Sequence, residues 1–577
     1  MSFPPSASRP TKELPAVPLP AAPCCSVTSV SPSRRRFQTT WHRLLSACLL
    51  LGLVWLPTAR GAAPKLTLPR PSGATRGSTT TITLQGKIDT WPVQVWTNRP
   101  EVQVAVDKKK NQLSFTIAPE CPPGVFLYRI YTPAWASATQ PLVVGLIPEI
   151  AEVEPNNTPS APQSAKLPVV VNGRFDSGGD VDMYAVDLKR GQTLVASIDS
   201  YRSLGSDSDA VLQIVTMEGF VLEQNDDAHD LDPQLVFQAP ADGRYLVRAF
   251  SFPVKTNSSI AFAGGADFVY RLTLTTGPFL DHCLPMAVSR EMPGEVQLRG
   301  WNLTDALRQV KVTVTPAAKE AWVAPEGVAN AIPLLVVDGP SLVETPASDP
   351  AKPQVLPVPA VVTGTLVKDH EADIYAFTAK KGNRIKARLD GRGLGSLVDP
   401  LLSISDAAGK VLATVDDLGR GQFDPVTNLT APADGEYRVT VRDRHDRGAA
   451  EFVYRLSLET VVPDFSLSVA AETFTLAAGK TVEVPVTVTR NDGFGGEIEI
   501  SATGLPEGVV AEPVKSLAKG ETAKAVKLIL KGGKEPVSGV FQVTGQTGGD
   551  GKQSHSAIFT GGGAIRHSEL WLTVTKP

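Results

Sequence analysis

The chain has 577 residues, of which 20% are charged and 42% are hydrophobic, and its formal net charge is −3. A chain of this length exceeds what one hydrophobic core supports, so the sequence predicts several domains. The small net charge excludes a general attraction to nucleic acid or to anionic membranes. Glycine and proline number 48 each and lie between short runs of Val, Thr and Leu, which favours many strands and turns over helices.

The N-terminal segment has the organisation of a signal peptide. The basic run Arg34–Arg36 precedes an apolar run from Leu44 to Leu56, and small residues follow up to Ala63. The apolar run is shorter than the ~20 residues that a transmembrane helix needs. We therefore predict a signal peptide over residues 1–62 and an exported protein, periplasmic, cell-surface or secreted, without a transmembrane anchor after cleavage. The arginines fit a Sec signal and a twin-arginine signal equally well.

Two of the five cysteines lie beyond this leader, at Cys121 and Cys283, in different predicted domains. An exported protein with so few cysteines is not held together by disulfides. We predict two isolated thiols, with a disulfide between them as the alternative.

The rest of the chain alternates apolar and polar residues in short strings separated by turn residues, which is the period of half-buried strands. Examples are Thr79–Leu84, Leu113–Ile117 and Val482–Val488. The sequence predicts an all-β chain of tandem β-sandwiches. Its predicted immunoglobulin-like domains span 63–150, 277–341 (a smaller one) and 461–577.

Between these domains lie two copies of another unit, over residues 151–276 and 342–460. Matching segments occur in the same order and at nearly the same spacing, which indicates an internal duplication. The matching segments are Asp182–Val186 with Asp373–Phe377, Ala239–Tyr245 with Ala431–Tyr437, and Phe268–Leu274 with Phe452–Leu458.

The repeated unit resembles the bacterial pre-peptidase C-terminal (PPC) domain, a jelly-roll-like β-sandwich often appended to secreted proteases and collagenases. The segments that carry the resemblance are the start Glu152–Thr158, Gly-Asp-x-Asp-x-Tyr ending at Tyr184, Asn225–Asp227 and Ala239–Tyr245. The alternation of this domain with immunoglobulin-like ones is similar to exported multidomain proteins of planctomycete-type bacteria. The resemblance implies an accessory module and supplies no catalytic domain.

The first copy opens with a segment rich in side-chain oxygen atoms, between Glu152 and Tyr184. Carboxylate and amide oxygens are the ligands of Ca²⁺, which takes six to eight of them. Family members that resemble the collagenase collagen-binding domain hold Ca²⁺ between the N-terminal linker and a nearby Asp-bearing loop. The alternative is a plain turn at Asn156–Asn157 with solvated acids. The positions that the resemblance implies as calcium ligands are Glu152, Glu154, Asn156, Asn157, Asp176, Asp180 and Asp182.

The second copy lacks most of these residues, so we expect it to bind metal poorly or not at all. Calcium would then stiffen the first junction between unlike domains and leave the second junction freer. Asp373 matches Asp182, which suggests that Asp182 is partly structural. The sequence comparison places Val343, Thr345, Ala347, Ser348, Val367 and Glu371 opposite Glu152, Glu154, Asn156, Asn157, Asp176 and Asp180.

A further acidic run, Asp226, Asp227, Asp230 and Asp232, is interpreted as a solvated hairpin. No His-Glu-x-x-His, Gly-x-Ser-x-Gly or P-loop motif occurs. The sequence therefore predicts a non-catalytic exported binding or scaffold protein that engages an extracellular protein or polysaccharide polymer. The alternatives are an accessory or remnant chain of a secreted peptidase, or a cryptic hydrolase. Tryptophans that could stack on a ligand, or fill a core instead, are Trp91, Trp96, Trp135, Trp301 and Trp322.

Overall fold

The structure is a computed structural model. It describes residues 63–255, 261–292, 294–315, 318–345, 352–419, 422–549, 552–562 and 565–577. The predicted signal peptide lies outside these residues. Almost all regular structure in the described part is β, and the sheets pair into five sandwiches along the chain. The predicted all-β class is therefore confirmed. No helix of the described residues is long and apolar enough to cross a membrane.

The first sandwich packs a sheet of order β1-β8-β6-β3, with β7 beside β6, on a sheet of order β2-β5-β4. Alternation along β5 buries Leu113, Phe115 and Ile117 between the sheets and leaves the other face to solvent. The strands are β1 (Gly73–Thr75), β2 (Thr79–Thr83), β3 (Gln94–Thr97), β4 (Val102–Val106), β5 (Gln112–Ile117), β6 (Gly124–Thr132), β7 (Trp135–Ala136) and β8 (Gln140–Gly145).

The first repeat has two five-stranded sheets, of order β10-β12-β17-β14-β15 and β16-β13-β18-β11-β9. It begins with β9, which pairs in parallel with β11, just before the predicted domain start. The elements are β9 (Glu149–Ala151), β10 (Gln163–Ser164), β11 (Val169–Arg174), β12 (Asp182–Leu188), β13 (Thr193–Asp199), α1 (Tyr201–Leu204), β14 (Ser208–Val215), β15 (Val221–Asn225), β16 (Gln234–Gln238), β17 (Gly243–Pro253) and β18 (Val269–Thr275).

The small sandwich packs two three-stranded sheets, of order β19-β21-β22 and β20-β24-β23. Its core contains one of the two described cysteines, Cys283. Both Cys121 and Cys283 are free and buried, which confirms the predicted isolated thiols. The elements are β19 (Phe279–Leu284), β20 (Ala287–Ser289), β21 (Glu295–Trp301), a 3-10 helix (Asp305–Leu307), β22 (Gln309–Lys311), β23 (Glu320–Val323) and β24 (Ile332–Val337).

The second repeat has sheets of order β25-β27-β34-β29-β32 and β26-β28-β33-β30-β31, the same orders as in the first repeat. The duplication seen in the sequence is therefore a duplication of the fold. The elements are β25 (Ser341–Val343), β26 (Gln354–Val355), β27 (Ala360–Thr365), β28 (Asp373–Ala379), β29 (Arg384–Asp390), a 3-10 helix (Arg392–Leu394), β30 (Pro400–Asp406), β31 (Val411–Val415), β32 (Val426–Thr430), β33 (Gly435–Asp443) and β34 (Val453–Thr460).

The last sandwich packs a sheet of order β39-β41-β37-β35-β44-β45 on one of order β36-β46-β42-β38-β40, with β43 beside β42. The elements are β35 (Asp464–Val469), β36 (Thr473–Ala477), β37 (Thr481–Asn491), β38 (Ile498–Thr503), β39 (Val510–Ala511), β40 (Val514–Ser516), a 3-10 helix (Glu521–Ala523), β41 (Ala525–Lys531), β42 (Val537–Thr547), β43 (Ser554–Ser556), β44 (Ile558–Thr560), β45 (Arg566–His567) and β46 (Leu570–Thr575).

The repeated Ala-Pro-Ala-Asp-Gly-x-Tyr segment is a turn closed by its own tyrosine. The Tyr245 hydroxyl donates to the carbonyl of Ala241 at 2.9 Å, and the Tyr437 hydroxyl donates to that of Ala433 at 2.7 Å. Both rings are buried, so each hydroxyl needs a partner. The motif therefore fixes how β17 and β33 enter their sheets.

The first and last sandwiches contact each other through a buried ion pair between Arg129 and Glu472. The Arg129 side chain is fully buried, and its Nη2 lies 2.8 Å from Glu472 Oε2. Thr139 donates to Glu472 through its backbone N at 3.0 Å and its hydroxyl at 2.9 Å. The guanidinium also lies 5.7 Å and 5.5 Å from the ring centroids of Trp96 and Trp571, within cation–π range.

Glu472 keeps its charge in this interface. Burial on its own would raise the pKa of its carboxyl, but the hydrogen bond from His567 and the charge of Arg129 outweigh burial and lower it. The His567 Nε2 atom lies 3.3 Å from Glu472 Oε2. The ion pair therefore joins sandwiches that are far apart in sequence.

We predict that Glu472→Gln lowers the free energy of unfolding by about 3 kcal/mol, because it leaves the buried Arg129 charge without its counter-ion. Chemical denaturation followed by tryptophan fluorescence measures the change. The matched control is Glu483→Gln in the same sandwich, which removes an exposed pair with Lys527 and should have a much smaller effect, because solvent screens exposed pairs. Equal effects of the two substitutions would contradict the prediction.

Candidate functional site

The candidate site lies at the start of the first repeat, where three elements meet. The linker after β9 carries Glu152, Glu154 and Asn156, and β12 begins with Asp182. The register of β9 against β11 places Ala151 opposite Asn172, so the chain enters the site beside the end of β11. Strand pairing thus brings the linker acids to Asp182.

Glu152 is the buried centre of this site. Its Oε1 lies 2.8 Å from the Tyr184 hydroxyl and 2.9 Å from the Tyr270 hydroxyl. Its Oε2 accepts hydrogen bonds from the Arg174 backbone N at 2.9 Å and from Arg70 Nη2 at 3.2 Å. These donors replace the water that burial removes from the carboxylate.

The two tyrosine hydroxyls also link Glu152 to Asp182. The Tyr270 oxygen lies 2.5 Å from Asp182 Oδ2 and 2.6 Å from the Tyr184 oxygen. Two hydroxyl protons cannot serve all the short oxygen–oxygen contacts in this group, and a proton on Asp182 supplies another. Consistently, burial, followed by the charge of Glu152, raises the pKa of Asp182 to about 10. Without a cation, the coupled pair of Glu152 and Asp182 therefore holds a proton, and the direction of the pKa shift places it on Asp182.

Carboxylate oxygens of Glu152, Glu154 and Asp182 all lie within 4.8 Å of one another. Burial raises the pKa of Glu154, although the Asn156 backbone N donates to its Oε2 at 3.0 Å. Three acids this close repel one another when ionised, which a bound cation would reverse.

Three buried oxygen atoms in the same group accept no hydrogen bond: Glu154 Oε1, Asn156 Oδ1 and Asp182 Oδ1. Buried acceptors of this kind are rare, because each one loses its hydration without compensation. Asn156 is fully buried, and its Nδ2 lies 3.4 Å from Glu152 Oε1, so the amide is held with its oxygen turned away from Glu152. The donor set, all of it oxygen, fits a hard cation such as Ca²⁺.

The other three residues of the predicted site surround this group. The Asn157 amide donates to Asp180 Oδ1 at 2.9 Å, and Asp180 Oδ2 accepts from the Asp176 backbone N at 2.6 Å. Asp176 is paired with Arg174 and lies 3.4 Å from Arg70. The structure therefore gathers Glu152, Glu154, Asn156 and Asp182, while Asn157, Asp176 and Asp180 make contacts that shape the loop beside them.

The second repeat corrects the residue matching derived from the sequence. β25 pairs with β27 so that Val343 lies opposite Thr363, as Ala151 lies opposite Asn172 in the first repeat. The residue equivalent to Glu152 is therefore Glu344, and matching it with Val343 was wrong by one position. The linker has no hydrophobic period that could fix its alignment, whereas strand pairing does.

Further contacts show the same equivalence. The Thr365 backbone N donates to Glu344 Oε2 at 2.7 Å, as Arg174 N does to Glu152. The same offset in the sequence sets Pro346 against Glu154 and Ser348 against Asn156, and both lie outside the described residues. The second repeat thus keeps the central glutamate but has neither the carboxylate of Glu154 nor the amide of Asn156.

The tyrosine pair is also kept in the second repeat. The Tyr375 and Tyr454 hydroxyls lie 2.6 Å apart, and the Tyr454 hydroxyl donates to Asp373 Oδ2 at 2.6 Å. A Cβ at Gly364 would lie 2.3 Å from the Tyr454 oxygen, which explains a glycine at this point of β27. Glutamate, aspartate and two tyrosines are therefore the structural part of the site.

Sequence reasoning missed Tyr270 and Arg70 as parts of the site. Tyr270 is distant in sequence, and only the sheet order brings it to Glu152. Its signal was the repeated Phe-Val-Tyr-Arg-Leu segment, in which Tyr270 recurs as Tyr454. Arg70 had no signal, because it comes from the segment before β1.

The interpretation of the acidic run as a solvated hairpin was wrong for Asp232. Asp226, Asp227 and Asp230 are exposed, but Asp232 is 2% exposed. Its carboxylate accepts hydrogen bonds from the backbone N atoms of Ser200, Tyr201 and Arg202, at the start of α1. Unpaired amides at a helix start attract such a carboxylate.

Comparison with known proteins relates both repeats to one family. The sequence profile of the bacterial pre-peptidase C-terminal domain matches residues 180–251 and 371–443. A probable subtilase-type serine protease of Deinococcus radiodurans is 30% identical over 95 residues. That match covers 16% of this chain and 13% of the protease, so the chain spans a small part of its curated relative.

Two solved structures are similar in parts. The pre-peptidase C-terminal domain of a Bacillus anthracis collagenase is 14% identical, with a TM-score of 0.15, over 19% of this chain and 95% of that domain. Fibronectin(III)-like modules of Clostridium thermocellum are 10% identical, with a TM-score of 0.11, over 38% of this chain and 96% of theirs.

Glu344 gives a prediction on pH. Burial, followed by the charge of Asp373, raises the pKa of Glu344 from 4.5 to about 7. The folded chain then holds this proton more tightly than the unfolded chain, so the free energy of unfolding falls as the pH rises from about 4.5 to about 7. Glu344→Gln is neutral throughout, and we expect it to add about 1–2 kcal/mol at pH 8, allowing for partial exposure, and little at pH 4.5.

Chemical denaturation of both proteins across this pH range measures the difference. Glu459→Gln, at an exposed glutamate of β34, is the control and should show no such trend. A gain from Glu344→Gln that is the same at both ends of the range would refute the assignment.

Proposed function

Because this chain contains two bacterial pre-peptidase C-terminal domains, we propose that it is a non-catalytic, exported binding or scaffold protein. Its domains engage extracellular or envelope polymers, either protein or polysaccharide, and Ca²⁺ stabilises the first pre-peptidase C-terminal domain. The family match and the tandem sandwiches support the first statement. The buried oxygen atoms of the candidate site support the second.

One observation carries the calcium proposal. Glu154 Oε1, Asn156 Oδ1 and Asp182 Oδ1 are buried without a hydrogen-bond donor, beside three carboxylates within 4.8 Å of one another. A hard divalent cation satisfies such acceptors and the repulsion between the acids together. The cation would be held by Glu152, Glu154, Asn156 and Asp182. Backbone carbonyls or water would complete its coordination shell of about six to eight oxygen atoms.

The site also lies at the junction with the first sandwich. Arg70, from the segment before β1, contacts Glu152. Nearby, Arg271 forms a bidentate ion pair with Glu149. Its Nη2 lies 2.9 Å from Oε1, and its Nη1 lies 3.0 Å from Oε2. A Cβ at Gly73 would overlap the Arg271 guanidinium, so β1 packs directly on this pair. Calcium bound beside these contacts would stiffen the junction.

The second junction has contacts of its own. The Met286 backbone N donates to Thr363 Oγ1 at 2.8 Å, and Arg455 Nη1 donates to the Met286 carbonyl at 3.3 Å. Arg455 occupies the position of Arg271 in the repeat. Equivalent arginines therefore lie at both junctions. We propose that calcium binds at the first junction alone.

We predict that millimolar Ca²⁺ raises the melting temperature of the mature chain and that a chelator reverses this. Binding to the folded state alone at 100 times Kd contributes about 2.7 kcal/mol. Asp182→Asn should abolish the shift, because the amide carries no negative charge and has one oxygen atom in place of two. The substitution mimics the neutral Asp182 of the cation-free protein, so the chain should still fold. Differential scanning calorimetry measures the shift.

The matched control is Asp373→Asn, the same change at the equivalent position of the second repeat. It should leave the calcium-dependent shift intact, whatever its effect on stability in chelator. A shift that disappears in Asp373→Asn and persists in Asp182→Asn would contradict the proposal, because the cation would then bind in the second repeat. No shift in the unsubstituted chain would refute the calcium proposal.

A second candidate function is an accessory chain of a secreted peptidase, which the match to a subtilase-type protease favours.

For the binding function, we predict that the mature chain is retained on at least one of insoluble collagen, cellulose, chitin and peptidoglycan, and that it does not cleave casein or collagen. Sedimentation with each polymer and gel analysis of the substrates measure both. Cleavage that survives repurification would show that the chain is catalytic and would contradict the proposal. Failure to sediment with any of the four polymers would contradict the binding function.

A further inference from the structure

A small cleft of about 170 Å³ lies where the two repeats and the small sandwich meet. The His229 Nδ1 atom of the first repeat lies 3.0 Å from the Gly395 carbonyl oxygen of the second. Asn302 of the small sandwich donates to the Thr193 carbonyl of the first repeat at 3.0 Å. Direct contacts therefore fix the walls of the cleft, and junctions between domains are common places for ligands.

The aromatic wall of the cleft is Trp301, at the end of β21. Its ring centroid lies 6.2 Å from that of Phe279, and its side chain is partly exposed. Met286 and Leu394 also line the cleft. Trp301 thus packs on one side against the apolar cluster that contains Phe279, Val170 and Val195, and it offers an apolar ring to the cleft on the other.

The polar part of the cleft presents both donors and acceptors. Asn225 Oδ1 accepts from the Gln234 backbone N at 3.1 Å, which directs the amide NH₂ of Asn225 to other acceptors. Asp281 Oδ2 lies 2.6 Å from His282 Nδ1. Because an ionised carboxylate can only accept a hydrogen bond, the proton of this contact is on His282 Nδ1. The other oxygen, Asp281 Oδ1, stays available as an acceptor for a ligand.

The charge of the cleft limits its ligand. Asp281 and Glu451 are the carboxylates that line it, and the described lining residues include neither lysine nor arginine. Phosphate, sulfate and uronic acid groups would meet like charge there, and the nearby Arg455 guanidinium is already paired with Asp390 at 2.9 Å. The ligand is therefore uncharged or positively charged.

We propose that this cleft binds a segment of a neutral oligosaccharide, with a sugar ring on Trp301 and hydroxyl groups bonded to Asn225 and Asp281. Sugar hydroxyls donate and accept, as the cleft side chains do, and the C–H face of a sugar ring packs on an indole. A lysine-rich peptide would pair with Asp281 and Glu451 instead, and it is therefore included in the test as the competing ligand. The proposal rests on the proposed function, since it names one polymer class and the site that holds it.

The test is calorimetric titration of cellohexaose, maltohexaose and chitohexaose into the mature chain. We expect at least one to bind, and Trp301→Ala to raise its Kd at least about tenfold. Because Trp301 also packs on Phe279, Asn225→Asp is the second variant: it keeps the acceptor for Gln234 N and removes the donor, and should weaken binding in the same direction. Trp322→Ala, in the same sandwich and away from the cleft lining, should leave Kd unchanged.

Three results would overturn the proposal: no binding of any of the three sugars, unchanged Kd in both cleft variants, or tighter binding of polyglucuronate or of a lysine-rich decapeptide. Retention of the two cleft variants on insoluble polymers separates this inference from the proposed function. If both variants are retained like the unsubstituted chain, the binding function stands and this cleft is not its site. If the unsubstituted chain is not retained, the proposed function itself fails.

Discussion

The Glu152 carboxylate is buried between the sheets of the first repeat, and the surrounding strands are arranged to solvate it. An isolated charge in such a place costs several kcal/mol unless donors surround it. The hydroxyls of Tyr184 and Tyr270, one from each sheet, and the backbone N of Arg174 provide these donors. Because each donor comes from a different strand, the carboxylate fixes β11, β12 and β18 relative to the linker. The entry of the chain into the domain depends on this one group.

The duplication separates what this arrangement needs from what was added to it. Glu344, Asp373 and the paired tyrosines recur in the second repeat, so they belong to the fold. Glu154 and Asn156 are particular to the first repeat, and their buried oxygen atoms lack donors. Asp182 belongs to both groups, because its Oδ2 is bonded to Tyr270 and its Oδ1 lacks a donor. Side chains whose buried acceptors stay unpaired are better explained by a ligand.

Much of the fold could be predicted from the sequence, because alternation and duplication are patterns of strands and turns. The site was harder, since its parts obey no local period. Glu152 and Glu154 were identified from the oxygen-rich segment and the family resemblance, but Tyr270 reaches Glu152 only through the order of the sheet. Glu344 was matched one residue out of place because the linker carries no alternation, and β25 pairing alone fixes it. Asp232 was taken as solvated because a carboxylate that binds helix amides looks, in sequence, like any other acid.

The two repeats share a fold, and we propose that they differ in calcium binding. Calorimetric titration of Ca²⁺ into the chelator-treated mature chain distinguishes the repeats, because it counts sites as well as detecting them. We expect one site per chain, since the second repeat lacks the oxygen atoms of Glu154 and Asn156. A stoichiometry of two would show that the structural group of Glu344, Asp373 and the tyrosines suffices for the metal. A stoichiometry of zero would show that the unpaired oxygen atoms of the first repeat have another cause.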